Sequence, residues 1–366
     1  MATYNVGPSG AYATLQACLA AGVLAPGDTI QLESGYDVDE YAGLGVSWVD
    51  NITLQGDVND PSNAICRWSN GASATTQRAL YVNTVSGWTI KGITFKYTGP
   101  VTTGSGAIYI HSSASGVTVE DCVVESTVNG LSTFGHLATI RRVKADGSTS
   151  GVNTGAGIVD GGSDNSTIES CLVYNWGGFG IQADINTTIN NCTVYNDKPD
   201  LLNSTNVTGI FADKGSSAST QTQINNCVVY MNCTKAGARG IRINNGYRVF
   251  IRNTITYGTP TGDANDLSAG GSAPTETNVT KSSGVGASAV LVDAPNDDFY
   301  PADPGLALHT GDATYAPAGG DLNQQSFDSP PSMGCLEAVA APAGGGGGAV
   351  MNSRAGLLPS PFTLTP

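Results

Sequence analysis

Short apolar runs recur along the chain between residues 54 and 257, separated by polar stretches rich in Gly, Ser, Thr and Asn. Each run contains an aliphatic anchor, and from the second anchor onward a mostly small and apolar residue follows three positions later. The anchors are Leu54, Ile90, Val119, Ile140, Ile168, Ile189, Ile224 and Ile251. Intervals of 21 to 36 residues between them predict a solenoid, in which a recurring short strand is joined by loops of changing length.

A second apolar pattern, Gly followed by an aliphatic residue, recurs once in most turns. It stands in GAIYI (106–110), GLSTF (130–134), GIVDG (157–161), GIQAD (180–184), GIFAD (209–213) and GIRIN (240–244). Two or more short parallel strands per turn predict an all-β fold, a right-handed single-stranded parallel β-helix of about eight coils. A short amphipathic helix with Leu15, Cys18 and Leu19 on one face is predicted to cap the first coil.

Stacking of the turns at about 4.8 Å places like residues above like. The column of small residues includes Cys122, Cys171, Cys192 and Cys227, which we interpret as buried free thiols. One position earlier, a side-chain ladder is predicted from Asp121, Asn191, Asn226 and Asn253. Because the chain has no Cys-x-x-Cys or Cys/His spacing, no metal site is predicted.

Composition narrows the set of partners. The chain has 366 residues with 48 Gly, only 13% charged residues and a net charge of −14. A charge of this sign argues against nucleic acid and anionic membranes as partners. No apolar run approaches the roughly 20 residues that span a bilayer. The start, MATYNVGPSG, lacks the basic and apolar regions of a signal peptide, which predicts synthesis without export.

Both ends of the predicted solenoid resemble a known family. The opening residues 6–37, VGPSGAYATLQACLAAGVLAPGDTIQLESGYD, are similar to the start of pectin-lyase-like β-helix proteins. Residues 296–338 resemble the closing segment of those proteins in a degraded form, with GLAL at 305–308 and GCLE at 334–337. The resemblance covers residues 4–338 and implies the fold, which hosts lyases, hydrolases, adhesins and virus spikes alike.

The same reasoning divides the chain into four parts. We predict an N-terminal cap over residues 1–50, the β-helix over 51–257 and a closing region over 258–340. A Gly-rich linker and terminal tail are predicted over residues 341–366.

Outward-facing positions of the Gly-aliphatic strands supply candidate catalytic residues. One outward column reads Tyr109, Ser132, Val159, Gln182, Phe211 and Arg242, and the next reads His111, Phe134, Gly161, Asp184, Asp213 and Asn244. Asp184 and Asp213 are predicted to lie on neighbouring turns about 5 Å apart, with Arg242 one turn further. Two such carboxylates can act as acid and nucleophile, or share a Ca²⁺ ion if the chain is lyase-like. The alternative is ordinary turn chemistry at strand ends.

Departures from the enzyme patterns weigh against catalysis. Polygalacturonase-like hydrolases carry Asn-x-Asp, Asp-Asp, Gly-His-Gly and Arg-Ile-Lys, whereas this chain offers only FGHL around His136 and GIRIN around Arg242. The basic residue in a carboxylate-rich groove that the lyases use is also missing, since Lys and Arg total only 16. No other cofactor is predicted.

An aromatic ladder six residues after the anchors is a candidate carbohydrate-binding surface. It comprises Tyr174, Tyr195, Tyr230 and Tyr257, with Trp176 nearby. Aromatic faces flanked by Asn and Asp suit stacking of sugar rings. The alternative is cross-turn stacking that only stabilises the coil.

The tail is a candidate docking peptide. Five glycines at 344–348 are followed by an apolar, Pro-punctuated peptide that contains Leu357, Leu358 and Phe362. We predict that these three residues bind a virus coat protein or a neighbouring copy in a trimer. The alternative is a disordered tail.

Two classes of function follow from these observations. The first is a non-catalytic, adhesive or structural protein of a bacteriophage particle, displayed on the virion surface and able to bind a polysaccharide. The second is a polysaccharide lyase or glycoside hydrolase on the same fold, located outside the cell. The missing signal peptide, the docking-like tail and the incomplete catalytic motifs favour the first.

Overall fold

The computed structural model describes residues 1–337, apart from 44, 70–76, 100–104, 148–154, 162–164, 185, 198–206, 213–220, 233–236, 245–248, 260–261, 270–272, 286–289, 297 and 304. Residues 338–366 lie outside the described part, and of 265 and 295 only the backbone is described. The predicted tail residues Leu357, Leu358 and Phe362, and the predicted catalytic Asp213, therefore fall outside the described residues.

The described chain winds into a parallel β-solenoid with three strands in a complete turn. The first sheet carries the aliphatic anchors, and its strands pair in register, with Ile168 opposite Ile189 and Ile189 opposite Ile224. It contains Thr3–Val6, Thr29–Leu32, Thr53–Gln55, Thr89–Lys91, Thr118–Glu120, Thr139–Arg141, Thr167–Glu169, Thr188–Asn190, Thr222–Asn225 and the first half of Val249–Tyr257. Thr275–Thr280 pairs alongside this last strand. These pairings confirm the predicted register.

The second sheet follows the first after a sharp bend. Its strands are Tyr36–Asp39, Ala64–Trp68, Thr94–Tyr97, Val123–Ser126, Lys144–Asp146, Leu172–Tyr174, Thr193–Asn196, Val228–Met231 and the second half of Val249–Tyr257. The predicted tyrosines lie here, with Tyr174 opposite Tyr195 and Tyr195 opposite Tyr230.

The third sheet is built from the Gly-aliphatic strands. Its eight strands are Arg78–Val82, Gly106–Ile110, Asn129–Thr133, Ala156–Asp160, Phe179–Ala183, Thr208–Ala212, Arg239–Ile243 and Leu267–Ala269. A glycine is required at position 180, because a Cβ there would come within 2.4 Å of the Val194 side chain across the narrow interior. The fold is thus the predicted all-β parallel β-helix, with about eight turns.

Helices are few and short. The α-helices are Leu15–Ala20, Asp263–Asp266 and Ser282–Val285, and the 3₁₀ helices are Pro61–Asn63, Ala294–Asn296 and Ala313–Tyr315. Leu291–Asp293 and Asp298–Pro301 form an antiparallel pair. Among the described residues, no helix is long and apolar enough to cross a bilayer.

Left-handed residues make the bend between the first and second sheets. Asp121, Asn191, Asn226 and Asn253 have φ angles of 53°, 48°, 52° and 46°, a region in which Asn and Asp are favoured among non-glycine residues. Asn226 Nδ2 donates to Asn191 Oδ1 at 3.2 Å, so the predicted side-chain ladder exists at these two turns. We call this edge of the solenoid the left-handed ridge, defined by Asp121, Arg142, Ser170, Asn191 and Asn226.

The interior is apolar and contains the predicted thiols. Cys122, Cys171, Cys192 and Cys227 are free and completely buried. Burial raises the pKa of the Cys122 thiol to about 12 and that of Cys192 well above its usual value. The cysteines are therefore small, neutral core residues, as predicted.

The solenoid extends beyond the predicted boundaries at both ends. Thr3–Val6 and Thr29–Leu32 already pair within the first sheet, so the cap is only the helix Leu15–Ala20 and not the whole of residues 1–50. After residue 257, Leu267–Ala269 adds a strand to the third sheet.

The last described part of the chain returns along the outside of the solenoid. We call residues 298–337 the return segment. Arg142 Nη1 donates to the Gly319 carbonyl at 2.9 Å, and Ser170 Oγ donates to the Gly320 carbonyl at 2.7 Å. Asn191 Nδ2 donates to Ser332 O at 3.1 Å. The left-handed ridge thus supplies the side chains that hold the return segment.

Candidate functional site

Of the predicted catalytic residues, Asp184 and Arg242 lie in the described part of the chain. Asp184 is 8% exposed, and its backbone carbonyl accepts hydrogen bonds from the hydroxyls of Thr187 (3.2 Å) and Thr222 (2.9 Å). Arg242 is half-buried, and its guanidinium lies 5.4 Å from the centre of the Phe211 ring. Since Asp213 is outside the described residues, the carboxylate pair stays a prediction.

A neighbouring carboxylate favours the interpretation as turn chemistry. Asp160 is completely buried, and its carboxylate accepts a hydrogen bond from the Thr187 hydroxyl. Thr187 therefore contacts the Asp160 carboxylate and the Asp184 carbonyl from one hydroxyl. Such bonds fix the loop between turns, as expected of Asp at strand ends.

Three of the five residues of the predicted carbohydrate-binding ladder are covered, which corrects the idea of an open aromatic surface at those three. Tyr174, Trp176 and Tyr195 are 4%, 2% and 3% exposed, and Tyr230 and Tyr257 are half-buried. Phe299 of the return segment packs on the ladder, with its ring centre 5.7 Å from Tyr174 and 5.3 Å from Tyr195. Tyr195 and Tyr230 stack at 5.2 Å. The rings thus form a packing surface for the chain itself, which sequence intervals could not show.

A different aromatic surface lies on the outer face of the third sheet. Tyr81 and Tyr109 are register partners on neighbouring turns, and their rings stack at 5.8 Å with an interplanar angle of 22°. The Phe134 ring follows on the next turn, 5.2 Å from Tyr109. All three residues are half-buried, so part of each remains exposed.

The surface continues onto earlier parts of the chain. Tyr41 lies 6.5 Å from Tyr81, and Trp68, at the end of a second-sheet strand, lies 5.9 Å from Tyr41. We call these five residues the aromatic strip: Trp68, Tyr41, Tyr81, Tyr109 and Phe134. The indole N–H of Trp68 donates to the Gln77 side chain at 2.8 Å, which fixes the ring at one end of the strip.

Two basic side chains accompany the aromatic strip. The guanidinium of Arg78 stacks 3.7 Å from the centre of the Tyr109 ring and is largely buried. The His111 ring lies 6.2 Å from Tyr81 and 6.4 Å from Tyr109. Because His111 Nδ1 accepts from the Ser113 backbone N–H at 3.2 Å, the neutral ring carries its proton on Nε2. Burial raises the pKa of Tyr81, so its hydroxyl stays protonated at neutral pH.

Sequence reasoning found only part of this strip. Tyr109 and Phe134 stand in the predicted outward columns. Tyr81 and Arg78 were missed because their strand reads Arg-Ala-Leu-Tyr-Val, with Ala-Leu in place of Gly-Ile. The recurring Tyr one residue after the aliphatic position was the signal that could have found Tyr81. No local sequence pattern identifies Tyr41 and Trp68 as part of the strip, because only tertiary folding brings them there.

Comparison with known proteins agrees with this architecture. The family described as "Right handed beta helix region" matches residues 78–256. Among curated proteins, none is found that matches this chain. The chain has a right-handed parallel β-helix fold, as the resemblance implied.

Solved structures with the same architecture are distant in sequence. The pectate lyase Pel9A aligns with a TM-score of 0.51 and 16% identity, over 92% of this chain and 96% of that one. A pectin methylesterase from Aspergillus niger gives 0.45 and 14%, over 77% and 86%. The A-module of a mannuronan C-5 epimerase from Azotobacter vinelandii gives 0.42 and 14%, over 72% of each chain. At these identities the likeness shows the fold alone.

Proposed function

We propose that the protein binds a carbohydrate chain along the aromatic strip. The observation that carries the proposal is the run of five aromatic side chains, with consecutive ring centres 5.2 to 6.5 Å apart along neighbouring turns. The strip is half-buried, whereas Tyr174 and Tyr195 of the tyrosine ladder are only 4% and 3% exposed.

The chemistry of the strip suits sugar rings. The exposed parts of the aromatic side chains can pack on the apolar C–H groups of a pyranose, while polar groups at the rim bond its hydroxyls. His111 offers its Nε2 proton as a donor at this rim, and the hydroxyls of Tyr81 and Tyr109 can donate or accept. A regular solenoid repeats these contacts from turn to turn, which favours a polymeric ligand over a single sugar.

The test is binding to a panel of acidic and neutral polysaccharides, measured by affinity electrophoresis and calorimetry. Replacing one central ring, Tyr109→Ala, is expected to weaken binding by up to about tenfold, since one aromatic contact contributes about 0.5–1.5 kcal/mol beyond the area that it buries. Tyr315→Ala is the matched control, because this tyrosine lies in the return segment, 5.6 Å from the Arg252 guanidinium. Equal binding by wild type, Tyr109→Ala and Tyr315→Ala would contradict the proposal.

Cleavage of the bound polysaccharide stays a prediction within the same experiment. The alternative function predicts new reducing ends or unsaturated products, lost when Asp184→Asn is combined with Asp213→Asn. We expect no such products, because Asp184 is only 8% exposed and its backbone carbonyl is bonded by Thr187 and Thr222 in an ordinary turn. Their appearance in wild type and loss in the double variant would move the proposal from binding to catalysis.

The particle role also stays a prediction. No described residue bears on it, since Leu357, Leu358 and Phe362 lie outside the described part of the chain. Deleting residues 344–366 tests it. The body is expected to fold as before, and loss of oligomerisation or particle attachment would support docking through the tail.

A further inference from the structure

Three metal-ligating side chains converge near the end of the return segment. His309, Asp328 and Glu337 each point one ligand atom to a common place, and these atoms all lie within 4.8 Å of one another. His309 Nδ1 is 3.8 Å from Asp328 Oδ2 and 3.8 Å from Glu337 Oε1. The three residues are far apart in sequence, so the return segment must fold before the cluster can form.

One side of the cluster is fixed by hydrogen bonds. Glu337 is 2% exposed, and its carboxylate accepts from the Ser332 backbone N–H at 2.9 Å and from the Ser332 hydroxyl at 2.5 Å. The same hydroxyl accepts from the His309 backbone N–H at 3.3 Å. Ser332 therefore holds the Glu337 carboxylate and the His309 backbone in one arrangement.

The other side is free to adjust. The His309 and Asp328 side chains are 44% and 53% exposed. Bonds of about 2.0–2.2 Å to a metal would place ligand atoms roughly 3–3.5 Å apart. Closing the cluster from its present spacing thus needs only small rotations of two exposed side chains. His309 Nδ1 donates to the Pro330 carbonyl at 3.3 Å, so a metal ion bound at Nδ1 replaces this hydrogen bond and leaves the ring proton on Nε2.

We propose that His309, Asp328 and Glu337 bind one divalent transition-metal ion. One imidazole nitrogen with two carboxylates is a donor set that suits Zn²⁺, whereas Ca²⁺ and Mg²⁺ prefer oxygen ligands alone. The exposed side leaves room for water to complete the coordination. The site is separate from the aromatic strip and independent of the proposed function.

A metal ion bound at this place would link three parts of the return segment. The ligands come from the turn before Thr310, from the stretch before Pro330 and from the last described residue of the chain. An ion that binds only the folded arrangement stabilises it by mass action. The expected consequence is slower proteolytic opening of the return segment.

The experiment is calorimetric titration of the untagged full chain with Zn²⁺, alongside limited proteolysis with and without the ion. One Zn²⁺ per chain is expected, with affinity at least tenfold lower in His309→Asn and in Asp328→Asn. Asn is chosen at 309 because His309 has a φ of 48°, which Asn tolerates. Both sites are exposed, so neither variant threatens folding. His136→Asn is the matched control and should bind as wild type.

Two results would overturn the proposal. Zn²⁺ binding that is absent, or equally tight in wild type, His309→Asn and Asp328→Asn, would show that the cluster is only an ion pair between His309 and its carboxylates. Tighter binding of Ca²⁺ than of Zn²⁺, unchanged in His309→Asn, would exclude the imidazole as a ligand. Zn²⁺-dependent protection of the return segment in wild type but not in His309→Asn would support it.

Discussion

The second and third sheets both stack tyrosine side chains on their outer faces, and the return segment packs on the stack of the second sheet. On the second sheet, Tyr195 is 3% exposed because Phe299 of the return segment packs on it. On the third sheet, Tyr81 and Tyr109 remain half-buried. The spacing of the rings is similar, 5.2 Å for Tyr195–Tyr230 and 5.8 Å for Tyr81–Tyr109.

The difference teaches that stacking by itself does not make a binding surface. Register places like residues above like on every sheet of a solenoid, so ring stacks arise wherever an aromatic residue repeats. Whether a stack packs against the chain or remains available to a ligand depends on where the chain runs afterwards. The left-handed ridge decides this by holding the return segment against the second sheet.

The largest effect is expected from a substitution in the interior that the second and third sheets share. Ile189 is completely buried between Ile168 and Ile224. Ile189→Asp places an unpartnered charge in the shared interior and should cost more than about 4 kcal/mol of unfolding free energy. Ile189→Val, the conservative control, should cost about 1 kcal/mol. Denaturant unfolding measures both, and a cooperative wild-type-like transition in Ile189→Asp would refute the assigned interior.

Removing the ring that covers the tyrosine ladder should destabilise the chain more than removing a ring of the aromatic strip. Phe299→Ala deletes a 2% exposed ring between Tyr174 and Tyr195 and should cost about 3–5 kcal/mol. Phe134→Ala on the aromatic strip should cost less, about 1–2 kcal/mol, because that ring is only half-buried. Unfolding free energies of the two variants give the comparison. Equal losses would mean that the strip is as tightly packed as the ladder.

The left-handed ridge can be tested at one residue. The Asn226 side chain donates to Asp312 O and accepts from Asp312 N, both at 2.9 Å, and its φ is 52°. Asn226→Ala should cost about 3 kcal/mol, from lost hydrogen bonds and backbone strain. Asn226→Gly removes only the hydrogen bonds and should be less destabilising by about 1 kcal/mol. Proteolysis of the return segment should accelerate in both variants; an unchanged rate would show that the ridge does not hold it.

The smallest effect is expected from alkaline pH. Burial, followed by the hydrogen bond and charge of Asp197, raises the pKa of Tyr195 in the folded chain. The folded state then holds the phenolic proton more tightly than the unfolded chain, so stability is present below pH 10 and falls as pH rises above it. Between pH 10 and 11, the unfolding free energy of Tyr195→Phe should fall by about 1 kcal/mol less than that of wild type. Unfolding free energies at pH 8, 10 and 11 measure it, and parallel pH profiles would contradict the assignment.

The sequence by itself determined the solenoid. The recurring anchors, the buried cysteines and the Gly-aliphatic strands are local patterns, and parallel stacking converts each into a column. The same patterns placed Tyr109, His111 and Phe134 on the outside of the third sheet. The spacing of these patterns along the sequence was enough to predict the register, because each turn of a solenoid contacts mainly its two neighbouring turns. Residues at the same place in successive turns therefore become register partners.

Only the tertiary structure decided which surfaces are covered and which side chains meet across long sequence separations. Asp121 and Gln324 are hydrogen-bonded although they are 203 positions apart, and His309, Asp328 and Glu337 converge only after the return segment has folded back. No period links these residues, because the return segment does not repeat. The path of the return segment depends on hydrogen bonds to the left-handed ridge and on the packing of Phe299 between Tyr174 and Tyr195. These contacts require several assembled turns and are not encoded in any single turn.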